Sequence, residues 1–206
     1  MNIFDPDSKF SQIMSVVFDY LKLGLLFLIF SVPIITAGAA ATGAMFVGMK
    51  IARGEAPKLW EPFWQSFRQN FRQATIATLV LMALFSILGF DWYQLFQMES
   101  TTPVRIARAL IFIVALVIMM AVIYIFPVLA RFEVTARQLV RNAVTFGIMN
   151  FTNNLLILAI ILAGLWLMDN VYQILPVVVA ALPAIIIWLM SSLCAKSFAK
   201  VEVTDQ

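Results

Sequence analysis

The sequence predicts an all-α fold: a polytopic membrane helix bundle with six transmembrane helices and two cytoplasmic amphipathic helices. Three observations carry that prediction. Hydrophobic residues make up 63% of the 206-residue chain and charged ones only 12%, far from the near-half and quarter of a soluble domain. The apolar residues fall into runs near the roughly 20 needed to cross a bilayer. Two aromatic and basic stretches between those runs carry helical periodicity. No linker divides the chain, so residues 1–206 read as a single membrane domain.

The spans are predicted at about 13–32, 36–50, 74–90, 109–130, 150–168 and 175–195. "DPDSKF" at residues 5–10 supplies an acidic cap and a proline for a helix start near Pro6. "TAGAAA" resembles a signal-peptidase site. Asp5, Asp7 and Asp19 ahead of it, and the apolar sequence after it, argue for a retained first span instead. Pro33 disfavours helix at Val32 and predicts a tight turn, with Thr36 capping the second span. From Ala37 to Ala44 every side chain is small. In lipid, helices gain from close backbone contact rather than from hiding apolar surface. Gly38, Ala39, Thr42 and Gly43 are therefore candidate helix-packing positions at the centre of the bundle. The fourth span, Ala109–Ala130, has no charge at all. Pro127 and Pro183 predict kinks in spans four and six, and Pro176 marks a helix start.

The amphipathic helices are predicted at about 57–72 and 133–147. In "KLWEPFWQSFRQNFRQ", Trp60, Trp64, Phe67 and Phe71 share one face, with Gln65, Arg68, Gln69 and Arg72 opposite. In "RFEVTARQLVRNAVTFG", Val140, Ala143, Val144 and Gly147 form the apolar stripe, and Arg137 and Arg141 the polar face. The two regions run alike: span, Ala-Arg, amphipathic helix, Asn-Phe, span. That pattern suggests a parallel internal repeat. Both amphipathic helices are candidate surfaces for docking a partner or the membrane, through Trp60, Trp64, Arg68, Arg72, Arg131, Glu133, Arg137 and Arg141.

With both termini in the cytoplasm, the inner segments hold eleven of the fourteen Lys and Arg residues. The positive-inside rule selects that orientation. Arg105 and Arg108 fall outside, and Lys22 lies in the first span. Asp91–Pro103, carrying Trp92 and Tyr93, and Asp169–Gln173, carrying Tyr172, form the outer connections.

Five polar residues are candidates for intramembrane roles: Asp19, Lys22, Asn150, Asn153 and Asn154. Ionisable groups in a membrane are costly and mark function by default. Asp19 and Lys22 sit three apart and can pair locally, or Asp19 can reach Arg68 or Arg72. The asparagines need partners at that depth and can satisfy neighbouring helix ends. Arg131, Glu133 and Arg137 are spaced for an ion-pair network.

The chain has no histidine and one cysteine, Cys194. No disulfide can form within it, and no nucleophile–base set or zinc spacing is present. No enzyme activity, metal or cofactor is expected. The basic residues flank apolar runs, which suits a lipid bilayer partner and not a nucleic acid.

"LKLGLLFLIFSVPIITAGAAATGAM", "FRQNFRQAT" and "FPVLARFEVTARQLVRNA" resemble blocks of the YesL family of bacterial integral membrane proteins, over most of the chain. Gly24 departs from that family's usual Asn. The resemblance implies a multi-pass protein of the bacterial inner membrane. It also implies association with carbohydrate uptake, with sugar-transporter subunits as partners, and it transfers no catalytic residue. The function expected is an accessory or regulatory component of solute uptake. The rivals are a self-sufficient transporter, with a polar cavity lined by Thr42, Thr75, Thr78, Asn150 or Asn153, and a scaffold or sensor. There is no permease-type Glu-Ala-Ala loop.

Overall fold

A computed structural model describes residues 9–55, 58–99, 101–170 and 175–204. The predicted start at Pro6 and the outer-turn residue Tyr172 lie outside the described residues. Among those described, every regular element is a helix. The helices are α1 (Lys9–Phe30), α2 (Ala37–Ala52), α3 (Trp60–Gln97), α4 (Thr102–Arg131), α5 (Ala136–Met149), α6 (Phe151–Asn170) and α7 (Leu175–Thr204). A short 3-10 turn, Ile34–Thr36, joins α1 to α2. Five helices are long and apolar enough to span a membrane, and α5 with α6 makes a sixth if that bent pair counts as one. Exposed Val80, Ile87, Phe90, Phe112 and Trp166 spread over the outer faces of α3, α4 and α6. In water so much contiguous apolar surface would drive aggregation. Around this chain it meets lipid, and the protein is membrane-embedded.

The second helix sits at the centre, packed against α1, α3, α4 and α7. Its Ala39, Ala40, Thr42, Ala44 and Val47 are fully buried. Three glycines show why the run is small. A side chain at Gly38 would collide with Thr78 Oγ1, and would lie 2.6 Å from Phe126 and 2.9 Å from the Ala74 carbonyl oxygen. At Gly43 it would meet the Phe63 carbonyl oxygen at 2.9 Å, and at Gly48 the Ser191 side chain at 2.9 Å. The neighbours thus touch α2 backbone to backbone, as packing in lipid requires. Thr42 spends its hydroxyl on the Gly38 carbonyl at 2.8 Å, and Thr78 on Ala74 at 2.9 Å. Both hydroxyls are thus donated within their own helices. Tyr20 ties the other side together, its hydroxyl 3.0 Å from the Gly48 carbonyl oxygen and 3.2 Å from Ser191 Oγ. Cys194 is buried in α7 as a packing residue.

The structure corrects several boundaries. The amphipathic stretch at 57–72 and the span at 74–90 are one 38-residue helix, α3. No glycine or proline interrupts residues 63–88, and Asn70 bonds back to the Ser66 carbonyl at 3.1 Å, within the same helix. At 1.5 Å per residue α3 is about 57 Å long, well beyond the hydrocarbon thickness. Asp91, Trp92 and Tyr93 are therefore on its last turns, not in a loop. The fourth helix begins at Thr102 and carries Arg105 and Arg108. Arg108 donates to the Leu95 carbonyl at 2.8 Å and the Met98 carbonyl at 3.0 Å, capping the end of α3. Thr36 does not cap α2; its hydroxyl donates to the Phe30 and Pro33 carbonyls of the turn before it.

Gly38→Leu should overpack the crossing with α3 and α4, costing about 1–3 kcal/mol and lowering the unfolding midpoint by several degrees. Gly89→Ala, where an added Cβ meets nothing within 4 Å, should leave the midpoint unchanged or slightly higher. Thermal unfolding of the two variants in detergent checks both.

Candidate functional site

Two stretches of α3 and α5–α6 adopt the same environment. From 60 to 74 and from 140 to 154, eighty positions apart, the burial classes agree at every residue. Buried Phe63, Ser66, Phe67 and Ala74 correspond to buried Ala143, Phe146, Gly147 and Asn154. Asn70 donates to the carbonyl four residues back at 3.1 Å, and Asn150 does so at 3.0 Å. This is the internal similarity read from the sequence, now seen as equivalent packing. In both stretches the buried face is rotated by about one residue from the predicted stripe. Trp60 and Phe71 are exposed and Trp64 is half-buried, while Phe63 packs on Gly43. Val140 is exposed, and Leu139 is buried in its place. Space beside small residues, rather than hydrophobicity alone, decides which face turns inward.

The two stretches differ at their junctions. The first runs straight on through Asn70. The second breaks at Asn150, where α5 meets α6 at 90°. Asn154 holds that corner, donating to the Gly147 carbonyl at 2.8 Å, and Ser197 of α7 donates to Asn150 Oδ1 at 3.2 Å. The asparagines satisfy a helix end, as their need for partners predicts. Asn153 is half-buried beside them.

The aromatic segment is more deeply engaged than a helix lying on the bilayer surface. Phe30, at the end of α1, lies 5.4–6.0 Å from the rings of Trp60, Phe63, Trp64 and Phe67. Trp60 and Phe30 therefore cannot lie at opposite membrane surfaces. Trp64 stacks on Trp60 at 5.8 Å, and Arg68 lies 5.9 Å from the Trp64 ring. Arg72, Arg137 and Arg141 are exposed. Asp19 pairs with Lys22 at 3.6 Å, and both are substantially exposed. Such a pair contributes little. The chain between α4 and α5, Phe132–Thr135, is not helical, so Glu133 and Arg137 lack the one-turn spacing. Among the described residues no ion pair joins Glu133 to Arg131 or Arg137.

Between the first repeated stretch and the segment leading into the second, residues 129–138, lies a crevice of about 620 Å³. Gln69, Asn70 and Gln73 of α3 line one side, with Phe46 of α2. Arg131, Phe132, Glu133, Thr135 and Gln138 line the other. Gln73 Nε2 donates across it to the Val134 carbonyl at 2.8 Å, linking α3 to the segment between α4 and α5. Thr135 starts α5 with a capping box: its backbone N–H and hydroxyl both donate to Gln138 Oε1, at 3.0 and 2.9 Å. Arg131 and Glu133 are thus brought together with Gln69, Gln73 and Gln138, which sequence reading did not single out. Trp60, Trp64, Arg68 and Arg72 do not line the crevice. The other large cavities are lined almost wholly by apolar residues. One lies among Phe27, Gly38, Thr78 and Phe126, and another between α1 and α7.

A family model described as "Protein of unknown function, DUF624" matches residues 20–92. The match takes in the second half of α1, all of α2 and most of α3, including one wall of the crevice, and does not reach the third resemblance block at 126–143. No curated protein and no solved structure matches the chain.

Gln73→Leu should release the Val134 carbonyl and speed amide hydrogen exchange across residues 132–138, while Gln69→Leu, on the same wall, should not. Asn154→Ala leaves the buried Gly147 carbonyl unpaired. It should cost about 1–3 kcal/mol, read as a lower unfolding midpoint.

Proposed function

We propose that this chain is a non-catalytic accessory component of solute uptake in the bacterial inner membrane, serving carbohydrate import and contacting subunits of a sugar transporter. The observation that carries this reading is the polar crevice. It is the large polar recess among the described cavities, built by the first of the two similar stretches and by the segment that leads into the second. Exposed Arg68 and Arg72 lie on the first stretch, Arg141 on the second and Arg137 one turn before it, where a partner at the cytoplasmic surface would find complementary charge.

The orientation proposed keeps both termini and the crevice in the cytoplasm, with Phe30 and the start of α3 meeting inside the bundle, between the two membrane surfaces. The distribution of Lys and Arg supports it. Arg108, one of the two outer exceptions, is engaged in capping α3, so it has a local reason to be there. The carbohydrate connection rests on the resemblance to YesL-type sequences. The accessory reading is favoured over a self-sufficient transporter because Thr42 and Thr78 bond within their own helices and the cavity beside them is lined chiefly by apolar groups.

Photo-cross-linkers placed at positions 68 and 137 in native membranes should capture a transporter subunit, and deleting the protein should lower sugar uptake by cells. Intrinsic sugar flux from the purified chain in liposomes, with no captured subunit, would overturn the proposal.

A further inference from the structure

We infer that the crevice between α3 and the segment joining α4 to α5 binds a small neutral polyhydroxylated solute, a sugar or a polyol. This rests on the reading of the crevice as the functional site and names what would occupy it. The volume of about 620 Å³ is within the range of small-molecule sites. It lies between the first repeated stretch and the loop leading into the second.

The chemistry narrows the class. Arg131 and Glu133 bring one charge of each sign, so the site has no net charge with which to select an ion. What dominates is amide. Gln73 spends its Nε2 on Val134, leaving its carbonyl oxygen as an acceptor. Asn70 spends its Nδ2 on Ser66 and likewise keeps its carbonyl oxygen. Gln138 spends its oxygen on Thr135 and keeps its amino group as a donor. Gln69 has both ends open among the described residues. Donors and acceptors are thus interleaved across a few ångströms of wall. A hydroxyl both donates and accepts, and a ring of vicinal hydroxyls answers such a wall where a carboxylate or an ammonium group would answer only half of it. At Asn70, Gln73 and Gln138 the unspent amide group is held by a sibling atom already bonded to the backbone or to a hydroxyl, so little ordering remains to be done there on binding.

The test is equilibrium binding to the full chain in nanodiscs, with glucose, maltose and mannitol as probes, and glucose 6-phosphate and glutamine as comparators. At least one neutral probe should bind saturably, and binding should weaken about tenfold in each of two variants, as expected for the loss of one good hydrogen bond. Gln138→Glu keeps the oxygen that caps α5 and deletes the donor. Gln69→Leu removes both groups at an exposed position. Gln65→Leu, on the same helix outside the crevice, should bind as the unaltered chain does, and all three should melt alike. Saturable binding of none of the neutral probes, binding of the phosphorylated sugar alone, or binding indifferent to both crevice variants would overturn the inference. A transporter subunit captured at position 68 or 137 without sugar binding would remove this assignment and leave the accessory role intact. Sugar binding without a captured subunit would do the opposite.

Discussion

Close approach of backbones at α2 is the constraint from which the remaining architecture follows. Lipid offers helices no reward for hiding leucines, so cohesion must come from contact distance and from satisfied polar groups. A helix whose neighbours stand against Gly38, Gly43 and Gly48 answers the first need on several sides. Hydroxyls returned to the carbonyl four residues back, as at Thr42 and Thr78, answer the second without demanding a partner elsewhere. The larger side chains, Phe63, Tyr124 and Phe198 among them, then fill the core around that narrow axis.

The repeated stretches show how one packing solution serves two geometries. Phe63 and Phe67 fill space in the first; Ala143 and Gly147 occupy the same places in the second. There the bulk comes instead from Phe146, stacked 6.2 Å from Tyr124 and 4.7 Å from Phe198. Bulk has moved to another position on the face and the fit is conserved in kind. The corner at Asn150 follows from the same exchange. Gly147 lets α5 press against the Met120 carbonyl, 3.1 Å from where a Cβ would stand, and two asparagines meet the carbonyls that the turn sets free.

Much of this was legible in the sequence because it is local. The charge-free run of α4, the small-residue face of α2 and the need of Asn150 and Asn154 for partners are each decided within a few residues. The continuity of α3 was harder to read, since Arg and Gln near Asn70 look like the end of a surface helix and are equally good helix formers. The inward faces of α3 and α5 were missed by one residue because hydropathy ranks Trp60 and Val140 as core, whereas the room available beside α2 and α4 selects Phe63 and Leu139. The crevice was hidden for a different reason. Its wall depends on Gln73 meeting Val134, sixty-one positions away, and no periodicity announces a pairing of that kind.

The burial of Cys194 has a practical side. The chain owns a single sulfhydryl, and it is enclosed by helix packing. The molecule therefore presents water with a surface free of reactive thiol. One cysteine introduced on the rim of the crevice or at a helix end would be the sole accessible nucleophile of its type, so spin labels or fluorophores could report on this protein with Cys194 left in place.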